Sequence, residues 1–133
     1  MRIVVDTGIF SASISRRRRQ RFEAEIALMA RNQILAATTV SDLLYGALVA
    51  GWSEVRRERL EEAIQATTVV PVSNKLLTTT AELRFACRRA GHPLHDRTHA
   101  NDLWIAASAV QINAPLLTGD SVFNDAPGLT LHK

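Results

Sequence analysis

Ile3-Val4-Val5-Asp6 is the stretch from which the fold can be read: three β-branched residues in a row, then a carboxylate. Branching at Cβ crowds a helix and suits extended backbone, so the run predicts a strand. Its apolar residues do not alternate with polar ones, which fits a strand covered on both faces. Asp6 then stands at the C-terminal end of that strand.

Outward from this point, short apolar runs recur with helical spacing between them. Ile34 to Ala37 predicts a second strand, and Thr68, Val69, Val70 and Val72 a third, with Pro71 placing it at an edge because proline cannot donate to a ladder. Pro115, Leu116 and Leu117 predict a fourth, leading into Thr118, Gly119 and Asp120. Phe22, Ile26 and Met29 mark one helix, with Asn32 as a stop. Leu43, Leu44, Ala47 and Leu48 mark another, with Thr38 to Ser41 as possible caps and Gly51 closing it. Ser53 caps a helix with Leu60 and Ile64 on one face. Asn74 caps a long one running through Leu76, Leu83, Cys87 and Ala90 to Gly91 and Pro93. His92 to Asn101 is polar and loop-like, and Leu103, Ala106, Ala107 and Val110 restart a helix. Strands alternating with helices predict an α/β fold whose mostly parallel central sheet, of about four to five strands, is flanked by helices.

The 133 residues, 47% of them hydrophobic, suffice for one core and a single domain over 1–133. No apolar run approaches the roughly 20 residues of a membrane span, and none follows a cationic leader, so a cytoplasmic protein with no membrane partner is expected. One cysteine, Cys87, excludes an intrachain disulfide and reads as a small buried thiol. The net charge of +3 favours anionic partners, and the base is concentrated at Arg16, Arg17, Arg18, Arg19 and Arg21.

Four aspartates stand out against this scaffold. Asp6 ends the first strand, Asp42 lies in the first turn of the helix after the second, Asp102 opens the helix before the fourth, and Asp120 follows the fourth. Singly, each has a plain explanation as a turn former or a helix-end charge. Open parallel sheets, however, bind ligands beyond the C-terminal ends of their strands. Four carboxylates collected there would repel one another unless a hard cation lay among them. Magnesium, with manganese as a substitute, takes such oxygen donors. No Cys or His pair has zinc-like spacing, and His92, His95 and His99 read as solvated or supporting loop residues.

The blocks V-V-D-T-G-I-F (Val4 to Phe10), T-V-S-D-L-L-Y-G-A (Thr39 to Ala47), N-D-L-W-I-A-A-S-A (Asn101 to Ala109) and P-L-L-T-G-D-S-V-F (Pro115 to Phe123) resemble, in order and spacing, the four motifs of PIN-domain ribonucleases of the VapC toxin type. The resemblance implies magnesium-dependent hydrolysis of RNA phosphodiesters by a catalytic cluster of Asp6, Asp42, Asp102 and Asp120, with Asp6 and Asp102 as direct metal ligands. It further implies a VapB-like antitoxin that masks the site and a homodimer as the unit. Asp42 departs from the family, which usually carries glutamate there. Arg16, Arg17, Arg18 and Arg19, following the first strand, are candidate contacts for RNA phosphates. Two other readings compete: a PIN-like module that binds RNA or a partner without turnover, and, from Asp6-Thr7-Gly8, an aspartic protease. The second would need a β-rich fold, at odds with the helical periodicity.

Overall fold

The computed structural model describes residues 2–15 and 33–132. The expected helix through Phe22, Ile26 and Met29, and the arginines at 16 to 19 and 21, lie outside the described residues. Within them the chain runs β1 (Ile3–Val5), α1 (Thr7–Ser13), β2 (Gln33–Ala36), α2 (Ala37–Val49), α3 (Glu54–Gln65), β3 (Thr68–Val70), α4 (Asn74–Ala90), α5 (Ala100–Gln111) and β4 (Leu116–Leu117). The four strands form one parallel sheet in the order β3-β2-β1-β4, with β3 at the edge that Pro71 predicts.

The alternation of side chains along β1 builds the two sides of the core. Val4 joins Ile34, Ala36 and Leu116 against Leu76, Leu83 and Cys87 of α4 and Leu103, Ala106 and Ala107 of α5. Ile3 and Val5 point the other way, with Leu35 and Leu117, against Ile9 and Phe10 of α1, Leu43 and Ala47 of α2, and Leu60 and Ile64 of α3. The result is three layers, helices on both faces of a sheet. Val4 and Val5 are fully buried, each removal from water being worth about 1.5–3 kcal/mol. The outer edge of β4 is covered in turn: Leu116 N–H donates to Thr130 O at 2.9 Å and His132 N–H to Leu116 O at 2.9 Å, which blunts an otherwise open ladder.

Several details differ from the sequence reading. α1 has no long apolar repeat to announce it; its Thr, Gly and Ser residues are poor helix formers, and it is held by capping at Asp6 and by burial of Ile9, Phe10 and Ala12. α2 starts directly off β2 at Ala37 with no side-chain cap, so Thr38 to Ser41 lie inside it and Asp42 falls in its second turn, not its first. Only Leu43 and Ala47 of its expected apolar face are buried; Leu44 and Leu48 are exposed. Ser73, not Asn74, caps α4 by accepting from Leu76 N–H at 3.1 Å. Gly91 ends that helix at φ 70, a left-handed conformation that a Cβ disfavours.

His92 to Asn101 is no open loop but two short 3-10 turns, Pro93–His95 and Arg97–His99, leading into α5. His92 explains part of this order. It is buried, its Nδ1 accepts from Leu94 N–H at 3.2 Å, and its Nε2 lies 2.7 Å from Asn124 O. Donation from Nε2 to that carbonyl satisfies both ring nitrogens and ties the turn to the C-terminal segment. Replacing His92 with Ala strands both backbone groups, so urea unfolding should register a loss of about 1–3 kcal/mol with an unchanged slope. A loss under ~0.5 kcal/mol would remove this role from His92.

Candidate active site

Asp6, Asp42, Asp102 and Asp120 line one pocket of about 590 Å³, together with Thr7, Asn101 and Ser121. Each arrives on a different element, and the pocket lies beyond the C-terminal ends of β1 and β4. Ile9 and Ile105, both almost fully buried, back it.

Asp6 is the most enclosed of the four, 9% exposed. As the N-cap of α1 it accepts from Thr7 N–H through Oδ1 at 2.8 Å, and through Oδ2 it accepts from Thr118 Oγ1 at 2.7 Å. Burial disfavours its charge and raises its pKa above the ordinary carboxylate value; the bonds from Thr118 and Thr7 oppose that rise, while the nearby charges of Asp102 and Asp120 add to it. Thr118 serves both ends of the cluster, since its Oγ1 also accepts from Asp120 N–H at 3.0 Å. Asp120 heads the 3-10 turn Ser121–Phe123 and accepts from Val122 N–H at 2.9 Å. Thr7 Oγ1 donates to the buried Thr39 at 3.1 Å, tying the start of α1 to α2.

Across the pocket, the first turn of α5 meets the second turn of α2. Asn101 Nδ2 lies 3.2 and 3.3 Å from the two oxygens of Asp42. Asp42 too has its pKa raised, first by burial and then by the charge of Asp102. Asp102 is met by His99 Nδ1 at 3.2 Å. The four acids that the sequence reading grouped thus line one pocket, and His99, read there as a solvated or supporting loop residue, meets Asp102. The sequence reading missed Asn101 and Thr39, whose roles depend on contacts between helices far apart in the chain. His92 and His95 do not line the pocket, and Arg16 to Arg19 lie outside the described residues.

The donor set is all oxygen, which suits a hard cation and not zinc. Among the described residues no three Asp, Glu, His or Cys side chains converge as a ready-made cage. Magnesium needs none, since it keeps several waters and takes one or two carboxylates plus phosphate oxygens. The acidic, all-oxygen lining therefore fits such an ion.

Fold and pocket together define a three-layer parallel α/β domain with an acidic site at its carboxyl edge. The family model described as PIN domain matches residues 3–129. Ribonuclease VapC5 of Mycobacterium tuberculosis is 30% identical over 122 residues, 90% of this chain and 84% of that protein. The chain belongs to the PIN-domain family and, within it, to the VapC group. Among solved structures, VapBC-5 of the same organism shares 27% identity with a TM-score of 0.69, covering 98% of this chain and 96% of that one. VapBC2 of Rickettsia felis, bound to a DNA fragment from its promoter, has the same fold with a TM-score of 0.80 at 24% identity, covering 99% and 98%. The aspartic-protease reading ends with this fold, because Asp6-Thr7-Gly8 spans a strand-to-helix junction in a parallel α/β sheet.

Proposed function

We propose that the chain is a magnesium-dependent endoribonuclease, with manganese as a substitute ion, acting as the toxin of a toxin-antitoxin pair. The observation that carries this reading is the gathering of Asp6, Asp42, Asp102 and Asp120 from four elements into one pocket. RNA as the substrate is supported by the relative named as a ribonuclease.

In this mechanism Asp6 and Asp102 hold the ion, and Asp42 and Asp120 complete the negative field around it. A bound magnesium ion supplies Lewis acidity at the phosphodiester and activates water for in-line attack. Thr118 keeps Asp6 oriented and favours its charged form; Ile9 and Ile105 keep water from behind the carboxylates, so their field acts on the substrate at full strength. Arg16 to Arg19, next in sequence after the first helix, would contact RNA phosphates.

A VapB-like antitoxin as partner is supported by the VapBC complexes among the structural neighbours. The outer face of α2, on the helix that carries Asp42, leaves Tyr45, Leu48 and Val49 exposed and so offers apolar surface beside the site. A homodimer is supported by exposed apolar side chains on α4: Leu77, which lines a pocket with Leu103 and Trp104, and Phe85.

The test is direct. Purified protein should cleave RNA in magnesium, lose cleavage in excess EDTA, and be inactive as Asp102→Asn. Undiminished cleavage in EDTA, or by that variant, would sink the metal-nuclease reading; magnesium binding without turnover would leave a binding module. A finer test uses Thr118→Val. Asp6 must be ionised to hold a cation, and losing the Thr118 hydrogen bond raises its pKa further. The acid limb of kcat/KM against pH should therefore move upward, with a loss of about 10–100-fold at neutral pH. An unmoved limb would mean that Thr118 does not act through Asp6.

A further inference from the structure

We infer that Asn101 is the positioning residue for Asp42, and that this contact is what lets an aspartate serve where a longer carboxylate is usual. The inference rests on the metal-ion reading of the pocket. A carboxylate only accepts hydrogen bonds, so the amide must turn its NH2 towards Asp42, and one Nδ2 then sits within 3.2 and 3.3 Å of both oxygens. No positively charged side chain is paired with Asp42 among the described residues. Among the described residues Asn101 is the side chain that hydrogen-bonds Asp42, and the bond crosses from the first turn of α5 to the second turn of α2, 59 residues apart.

The placement has a chemical consequence. Asp102, the next residue, enters the same pocket from the same turn, so one turn of α5 contributes a carboxylate directly and fixes a second through a neutral donor. A lysine or arginine in that place would neutralise Asp42 and compete with the cation; an amide orients the carboxylate and leaves its charge available. Asp42, one methylene shorter than glutamate, stays on its own wall, drawn towards α5 by Asn101, where it acts on the ion through water. A glutamate at position 42 would reach further by itself and would not need the amide.

Calorimetric magnesium titration of wild type, Asn101→Ala, Asp42→Glu and the double variant tests this. Asn101→Ala should weaken magnesium binding about tenfold when residue 42 is aspartate, and less than about twofold when it is glutamate; the two substitutions would be coupled, not additive. A structural role alone would lower metal-free thermal stability without this dependence on residue 42. In metal-free protein, the side-chain amide NMR resonances of Asn101 should move on Asp42→Ala. Equal magnesium affinity in wild type and Asn101→Ala, or the same loss on both backgrounds, overturns the role of Asn101 while leaving the metal site standing. Absence of magnesium binding by the wild type overturns both.

Discussion

Asp6→Asn is expected to abolish magnesium-dependent RNA cleavage and to leave the metal-free protein at least as stable as the wild type. The loss follows if Asp6 is, as proposed, an anionic ligand of the ion. Metal stabilisation of a phosphoryl transition state is worth several kcal/mol, and at about 1.4 kcal/mol per tenfold in rate the expected fall is on the order of 10²–10³. The stability half follows from linkage. Asp6 has a raised pKa in the folded state, so the folded protein holds this proton to higher pH than the unfolded chain does. Its favourable contribution is complete below the unfolded value of 3.8 and is lost as pH rises through the folded one. At neutral pH the buried charge opposes folding. Asparagine keeps an oxygen for Thr7 N–H and removes that charge. Thermal melts in EDTA should give a midpoint at or above wild type, and added magnesium should raise the wild-type midpoint only. A variant that melts well below wild type in EDTA would show Asp6 to be structural, and its inactivity would then say nothing about catalysis.

Phe123→Ala carries the largest expected effect on stability. Phe123 is fully buried within the cluster formed by α4, α5 and one face of the sheet. It also belongs to the short turn headed by Asp120. Truncating a buried phenylalanine costs about 3–5 kcal/mol, a large share of the 5–15 kcal/mol that typically holds a domain together. The melting midpoint should fall by on the order of 10–20 °C. Magnesium affinity should fall as well, since the turn that carries Asp120 loses its anchor. A shift under about 5 °C would mean that the surrounding residues close the gap, and that Asp120 is positioned independently of the core.

Much of this architecture was legible because local chemistry and final environment agree. The β-branched run at Ile3 to Val5 is a strand in isolation and a strand in the fold, and Pro71 marks an edge for a reason that holds at any edge. The legible part of the site was its charge: like carboxylates at the ends of parallel strands have to be explained together. What escaped is what only tertiary contact supplies. α1 has poor local propensity and exists because Ile9, Phe10 and Ala12 are buried. The start of α2 bears no cap signature because it grows straight out of β2, which is why Asp42 lies a turn deeper than its preceding Thr and Ser residues suggest. His92 looked like loop polarity until Asn124, 32 residues on, was seen to complete it. Asn101 gave no signal, since an amide before an acid is unremarkable until the facing helix is known.

β1 is central in the sheet, and one of its two neighbours, β4, follows the other three strands in sequence. Asp6 waits for a hydroxyl 112 residues downstream, and Asp120 arrives with the same segment. A chain still emerging from the ribosome therefore holds Asp6 and Asp42 without the wall that faces them. Until Leu116 and Leu117 dock against Val4 and Val5 there is no closed pocket in which an ion could be held. This order of assembly sets when the pocket can exist: it closes only after the segment carrying β4 and Asp120 has been made and has docked beside β1.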